Sequence, residues 1–325
     1  MITRLMVLAL CAMSAFGMAA CLAAPEDADI AAPEPTEIPR GPFTEEEVSE
    51  IRQAALERIN FDRDVEGLPP LEWDEDAAEV GDLFCAVSLR DDTVGHYTLE
   101  GLSPLDRWGL YGGGPYVAEN ACAWAWSGPN VSWTRRGVLH LLDEFQDLML
   151  AERPPNDGHR RTILDPHLTH VGIGLALSGN QLRYVQEYTA RYVELDEVPL
   201  ESTSREQLAY SGRVLDPSRY RLDYILVYHK DPPEPLTVAE CAARMSYELP
   251  SDHRVLRPVI GEGMYYQSDG GRGEFMYDPD TGDFEATVRW YNGSGWYGIL
   301  CLLAPTHAGR GQGQFSGTWS LVQVS

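Results

Sequence analysis

Two histidines and two glutamates, widely spaced along the chain, are the residues best suited by type to do chemistry at a shared site. They are His96, Glu119, Glu152 and His159. Two neutral imidazoles can bind a divalent ion such as zinc, with water or a carboxylate completing the coordination. The glutamates can orient the imidazole N–H groups or activate water as a general base. Four ionisable groups converging on one cleft would indicate a binding or catalytic site.

Separate elements of the fold must position these four side chains. A helix predicted from apolar spacing ends shortly before His96, and Glu119 precedes an alanine-rich run with strand character. A longer helix is predicted over residues 132–152, so Glu152 and His159 lie on either side of its end. Two strands, 171–176 and 182–188, follow with a turn at Gly179-Asn180 between them. Only a folded cleft can bring the quartet together.

The phrases around the quartet occur in a recognisable order. They are G-L-P-P-L-E-W-D before the first of these helices, then V-G-H-Y-T, V-A-E-N-A and G-H-R around His96, Glu119 and His159. This order resembles the CAP superfamily of secreted proteins, also called the SCP or pathogenesis-related protein 1 type. The resemblance covers roughly half of the chain. It implies an α/β/α layered domain in which two histidines and two glutamates line one central cleft.

The correspondence with the family differs in two places. Ala118 replaces the glycine that commonly precedes the glutamate matched by Glu119. The family often has Trp-x-x-Glu before its second histidine; here Met149 takes the tryptophan position, which selects Glu152 and leaves Glu144 as the alternative. The resemblance also implies diverse activities, including the binding of sterols or other lipids.

We expect a non-catalytic cleft that binds a divalent metal, zinc first, through His96 and His159, or a small-molecule, lipid or cell-envelope ligand. The alternatives are a metal-dependent hydrolase with Glu119 or Glu152 as base, and an adhesion or scaffold protein that binds through its C-terminal region. Histidines more than about 8 Å apart would exclude a shared ion, because Zn–N bonds are about 2.0–2.1 Å long. His167 and His170 follow closely, but we expect them to lie outside the cleft.

The C-terminal region, residues 205–325, has the alternating apolar pattern of β-strands separated by glycine-rich turns. It predicts a small all-β, sandwich-like domain after a CAP-like domain at 43–200, which makes the chain an α+β protein. The acidic segment 278–283 has too few ligands for a calcium loop and predicts a β-turn. We expect the neighbouring aromatic residues to pack in the core: Trp290, Tyr291, Trp296 and Tyr297.

The chain is strongly acidic, with a formal net charge of −25 and a single lysine, Lys230. Such a surface repels phosphate backbones, so nucleic acid is not expected as a partner. Residues 1–20 have the charge and apolar pattern of a signal peptide. The phrase M-A-A-C at Cys21 resembles a bacterial lipobox, and residues 21–42 form a tether rich in proline and acidic residues. We expect an extracytoplasmic lipoprotein held at the membrane by a lipid anchor, with a secreted protein as the alternative.

Four cysteines remain beyond the signal peptide and Cys21. In an oxidising compartment they can form two disulfides. The simplest pairing keeps each bond within one domain, and it joins Cys85 to Cys122 and Cys241 to Cys301.

Replacement of Cys21 by serine tests the anchor. Lipid chains are the strong apolar anchor that this sequence predicts, so Cys21→Ser should move the protein from the detergent phase to the aqueous phase. Mass spectrometry of the wild-type protein should show the added acyl chains on Cys21. An unmodified mature N-terminus at another residue would contradict the prediction.

Overall fold

The computed structural model describes residues 37–111, 113–268 and 270–325. The predicted signal peptide, Cys21 and the tether up to residue 36 lie outside the described residues. Within the ranges described, no helix is both long enough and apolar enough to cross a membrane.

Most of the helices belong to the first half of the described chain. In chain order they are α1 (Glu45–Val65), α2 (Glu75–Arg90), α3 (Pro104–Tyr111), α4 (Arg135–Ala151), α5 (Gly158–Ile163) and α6 (Val238–Ala243). Local sequence starts several of them. Thr44 and Glu47 form a reciprocal capping box at the start of α1, and the Asp74 and Thr134 side chains cap α2 and α4.

Strands occur along the whole described chain and predominate in its second half. The first five are β1 (Glu72–Trp73), β2 (Gly114–Ala125), β3 (His170–Ser178), β4 (Gln181–Ala190) and β5 (Val193–Leu195). The remaining strands are β6 (Glu201–Ser202), β7 (Gln207–Val214), β8 (Tyr220–Lys230), β9 (His253–Leu256), β10 (Phe275–Tyr277), β11 (Asp283–Arg289), β12 (Gly295–Pro305), β13 (Phe315–Ser316) and β14 (Thr318–Val324).

The first region is a three-layer α/β/α structure, as the resemblance implied. Its sheet has the order β1-β3-β4-β2. Alternate residues of β3 face opposite layers, as the two-residue period of a strand requires. Val171, Ile173 and Leu175 pack into the core formed with α1 and α4, whereas Gly172 and Gly174 face α2.

Glycine lets α2 approach β3 at backbone contact. A Cβ atom on Gly172 would lie 2.1 Å from the backbone nitrogen of Ala78, and one on Gly174 would lie 2.2 Å from the carbonyl carbon of Gly81. Any side chain at these positions would push the helix away from the sheet. This close packing fixes α2 and the start of the loop that carries His96.

The C-terminal strands form a sandwich, as the sequence predicted. One sheet contains β14-β12-β8-β9 and the other β10-β11-β7-β5. A shared apolar core fills the space between them, with Tyr210, Ile225, Phe284 and Ile299 among its members. Short pairing of β14 with β2 joins the first of these sheets to the α/β/α sheet. With β6 beside β14 and β13 beside β12, the combined sheet has ten strands.

Two smaller predictions for the C-terminal region agree with the structure. Asp278 accepts hydrogen bonds from the backbone N–H groups of Asp280 and Thr281, as in a turn. Trp290, Trp296 and Tyr297 are buried, and Tyr291 packs beside the sandwich core. These aromatic rings therefore contribute to packing rather than to an exposed face.

The disulfide prediction is wrong, since Cys85, Cys122, Cys241 and Cys301 are all free thiols. Strand parity separates the first pair. Ala121 packs with Cys85 on the α2 side of the sheet, so the next residue, Cys122, points to the other side and joins the core against α1 and α4.

The second pair lies in two different environments. Cys301 packs inside the sandwich core, with its sulfur 3.9 Å from the Tyr210 hydroxyl. The Cys241 thiol donates instead to the carbonyl oxygen of Thr98, at 3.4 Å. Burial raises the pKa of the Cys301 thiol to about 11 and that of Cys122 to about 12, so both stay protonated.

Substitution of Gly174 by alanine tests the close approach of α2. The added methyl group would overlap the Gly81 backbone, and overpacking of this kind costs about 1–3 kcal/mol or more. Urea unfolding should show that loss. Gly158→Ala is the matched control, because no atom lies within 4 Å of its Cβ position, and it should change stability by less than about 0.5 kcal/mol. Equal stability of the two variants would contradict the packing argument.

Candidate functional site

Four separate elements bring the predicted quartet together. His96 lies in the loop after α2, and Glu119 lies on β2. Glu152 is the C-cap residue of α4, and His159 lies in the first turn of α5. The ring centroids of His96 and His159 are 6.4 Å apart, which is inside the limit set for a shared ion. The sequence thus identified residues that do meet in space.

The first pair, His96 and Glu119, is buried, and both of its members are hydrogen-bonded to Arg107. His96 Nδ1 lies 2.7 Å from Glu119 Oε1, and the other carboxylate oxygen accepts from Arg107 of α3. Arg107 also donates to the His96 carbonyl oxygen at 2.7 Å. Although burial favours the neutral acid, Arg107 and His96 hold the pKa of Glu119 below its ordinary value. Glu119 is therefore a carboxylate, and Arg107 fixes both members of the pair.

The second pair, His159 and Glu152, is more open. His159 Nδ1 lies 2.6 Å from Glu152 Oε1, and the His159 backbone N–H donates to Glu152 Oε2 at 3.0 Å. The His159 and Glu152 side chains are 30% and 25% exposed, against 9% for His96 and 0% for Glu119. One histidine of the cleft is thus accessible, and the other is nearly covered.

Each of the two imidazoles is paired with a glutamate through its own Nδ1 atom. A carboxylate accepts hydrogen bonds, so each Nδ1 must carry the proton, and each neutral ring then has its lone pair on Nε2. Neither Nε2 atom makes a hydrogen bond within the described part of the chain. This carboxylate–histidine arrangement is the one that prepares imidazole nitrogens for a metal ion or a hydrogen-bond donor.

A third carboxyl group, Glu187, lies behind Glu119. The two residues are direct partners across β2 and β4, and Glu187 is 1% exposed. Burial first, and then the negative charge of Glu119, raise the pKa of Glu187 well above its ordinary value. The buried pair therefore favours the protonated form of Glu187 beside the charged form of Glu119. Sequence analysis missed Glu187 and Arg107, because neither residue lies in one of the phrases around the quartet.

Other candidate residues lie elsewhere. The Glu144 carboxylate pairs with His140 one turn away on α4, which leaves Glu152 as the cleft residue. The His167 ring stacks on Phe315 at 4.1 Å, and His170 Nδ1 bonds the Thr169 hydroxyl. His167 and His170 are thus outside the cleft, as expected.

Within the described ranges, no group of three or more His, Cys, Asp and Glu side chains is arranged to hold a metal ion. The cleft itself offers two histidines, whose ring centroids are 6.4 Å apart. Any ion here must complete its coordination with water or with a bound ligand.

Replacement of Glu187 by glutamine tests the buried carboxyl pair. Because the folded protein raises the pKa of Glu187, its contribution to stability is present at low pH and is lost as pH rises above the ordinary value of about 4.3. Glutamine stays neutral, so Glu187→Gln should be more stable than wild type at pH 7 and gain nothing near pH 4.

Glu119→Gln is the contrasting variant. It leaves the buried Arg107 charge without its partner, which should cost about 3–5 kcal/mol at neutral pH. Urea unfolding at several pH values measures both effects. A stability difference between Glu187→Gln and wild type that does not vary with pH would contradict the neutral-acid assignment.

Comparison with known proteins gives a family for the first region. Residues 56–188 match the model of the cysteine-rich secretory protein family, CAP. An extracellular protein containing a SCP domain from Bacillus anthracis strain Ames is 22% identical, with a TM-score of 0.34 over 46% of this chain and 45% of that chain. This chain therefore spans less than half the length of that protein.

An outer surface protein from Borrelia burgdorferi is 16% identical, with a TM-score of 0.35 over 46% of this chain and 96% of that chain. No curated protein matches the chain. The matched range contains all four residues of the cleft. Residues 56–188 are a domain of the cysteine-rich secretory protein (CAP) family.

Proposed function

We propose that the cleft binds a divalent cation, zinc first, through Nε2 of His96 and Nε2 of His159, and presents it to a small or lipid ligand without turnover. The observation that carries the proposal is the pairing of each Nδ1 with a glutamate, at 2.7 Å and 2.6 Å. That pairing fixes the tautomer in which Nε2 can donate a lone pair.

The donor set fits a weak, open site. Two imidazole nitrogens supply half of a tetrahedral shell, and zinc sites that keep open positions can accept water or a ligand there. A bound ion would supply a Lewis acid for an anionic or carbonyl group of the ligand. The chain's own residues would hold the ion, orient the two rings and keep Glu119 charged.

The hydrogen bonds that Glu119 and Glu152 already accept favour binding over hydrolysis. Glu119 is engaged by His96 and Arg107, and it is fully buried. Glu152 accepts from the His159 ring and from the His159 and Arg160 backbone N–H groups. A general base needs an oxygen within reach of the water that it activates, and both carboxylates are committed to positioning histidines.

We also propose that the protein acts outside the cytoplasm and is tethered by a lipid on Cys21. The support is the order of segments in the sequence, in which a signal-like stretch, a lipobox-like cysteine and a proline-rich spacer precede α1. The spacer would hold the cleft away from the membrane surface and in contact with solutes or cell-envelope molecules.

Calorimetric titration with zinc tests the binding proposal. Protons compete with the ion for the imidazole nitrogen, so zinc binding should weaken as the pH is lowered from 7.5 to 5.5. His96→Ala and His159→Ala should abolish it. Glu152→Gln should weaken binding by about 10–100-fold, as is typical when the partner of a metal-binding histidine is lost.

His140→Ala is the matched control, because His140 is an exposed histidine on α4 that pairs with Glu144 outside the cleft. It should bind zinc as wild type does. Equal zinc binding by wild type, His96→Ala and His159→Ala would assign the ion to the acidic surface and contradict the proposal. Turnover of an ester or peptide substrate that is abolished by His159→Ala would favour the hydrolase instead.

A further inference from the structure

A segment of the C-terminal region, outside the range that matches the CAP family, runs along the loop that carries His96. We call residues 234–249 the strap; they include α6 and follow β8. The strap passes the loop in the opposite chain direction. Its contacts pair residue 234 with 101, 236 with 99, 241 with 98, 244 with 97 and 247 with 96.

Backbone contacts fix the first part of the strap. The Leu236 backbone N–H donates to the Leu99 carbonyl oxygen at 2.7 Å. Gly101 has a φ of +83°, and a Cβ atom there would lie 2.1 Å from the carbonyl oxygen of Glu234. Only glycine suits both the conformation and the space. The loop is therefore shaped to accept the strap at this point.

The middle of the strap is in contact with the residues on both sides of His96. The Cys241 thiol donates to the Thr98 carbonyl oxygen at 3.4 Å. Gly95 has a φ of +92°, and a Cβ atom there would lie 3.3 Å from the Cys241 carbonyl oxygen. The Arg244 guanidinium lies over the Tyr97 ring, 5.2 Å from its centroid. Contacts thus continue up to the residue next to the histidine.

Tyr247 completes the series inside the cleft. Its ring meets the His96 ring edge to face, with centroids 5.1 Å apart at 65°. Its hydroxyl oxygen accepts the Glu119 backbone N–H at 2.6 Å. Burial raises the pKa of Tyr247 well above its ordinary value, so the hydroxyl stays protonated. One side chain thereby touches both members of the buried His–Glu pair.

We propose that the strap is a wall of the cleft, in which Tyr247 positions His96 and Glu119 and closes the side of the His96 ring. An ion or a small ligand group then reaches His96 from the side of His159. The unequal exposure of the two rings, 9% against 30%, agrees with this one-sided entrance. Tyr247 is accordingly a positioning and specificity-determining residue that the C-terminal region supplies to the CAP domain.

Diethyl pyrocarbonate, which acylates neutral imidazole nitrogens, tests the wall in the metal-free protein. Peptide mass spectrometry after limited reaction gives separate rates for His96 and His159. In wild type, His96 should react several-fold more slowly than His159. Tyr247→Ala should raise the His96 rate toward that of His159, whereas Tyr247→Phe keeps the ring and should leave the rate low.

Leu249→Ala is the matched control, because Leu249 packs in the same apolar cluster as Tyr247 but makes no contact with His96. It should leave the His96 rate low. If Tyr247→Ala does not fold, Tyr247→Leu replaces it. An unchanged His96 rate in the folded variant, or an equal rise in Leu249→Ala, would overturn the proposal. Because no metal is added, this outcome is independent of whether the cleft binds zinc.

A separate measurement tests the role of the Tyr247 hydroxyl. Tyr247→Phe removes the acceptor of the Glu119 backbone N–H, so hydrogen exchange at that amide should accelerate relative to wild type. The free energy of unfolding, measured in parallel, separates this local change from general loss of stability. Exchange at Glu119 as slow as in wild type would show that the hydroxyl has no positioning role.

Discussion

The ion pair between Arg107 and Glu119 is the interaction on which the cleft depends. Both side chains are almost fully removed from water, at 4% and 0% exposure. Charges in such a place are costly unless each is paired and hydrogen-bonded. One Glu119 oxygen accepts a hydrogen bond from Arg107, and the other is hydrogen-bonded to His96. Because the buried carboxylate needs both partners, it holds the His96 ring in place.

Several elements have to be in place before that ion pair can form. Arg107 lies on α3, which is itself held by the C-terminal sheet: Lys230, the only lysine of the chain, pairs with Asp106. Trp319 Nε1 also donates to the Leu105 carbonyl oxygen at 2.9 Å. The C-terminal strands therefore hold α3, which carries Arg107, and Tyr247 of the strap contacts His96 and Glu119. Residues outside the CAP match thus contact His96 and its loop directly, as Tyr247 and Cys241 do.

The sequence predicted those features that have a local signal. The helix before His96, the helix over residues 132–152, the strands 171–176 and 182–188 and the ordered phrases around the quartet each depend on residues close together in the chain. Tyr247 and Glu119, which are in contact, lie 128 positions apart in the chain. No local sequence pattern predicts a contact at that separation. The pairing of β2 with β14 joins residues that are still further apart in the chain, such as Pro115 and Thr318. The disulfide prediction failed because the sidedness of Cys122 was set by the packing of the sheet, which cysteine spacing does not encode.

Burial divides the quartet into two unequal halves. His96 and Glu119 are buried, whereas His159, in the first turn of α5, and Glu152, at the end of α4, are partly exposed. In both halves a glutamate is hydrogen-bonded to Nδ1, and Nε2 makes no hydrogen bond among the described residues. Nitrogen-15 NMR of the imidazole rings in the metal-free protein measures this directly. In the neutral form of each ring the proton should lie on Nδ1. A proton on Nε2 of either histidine would contradict the arrangement, because that nitrogen would then have no lone pair for an ion.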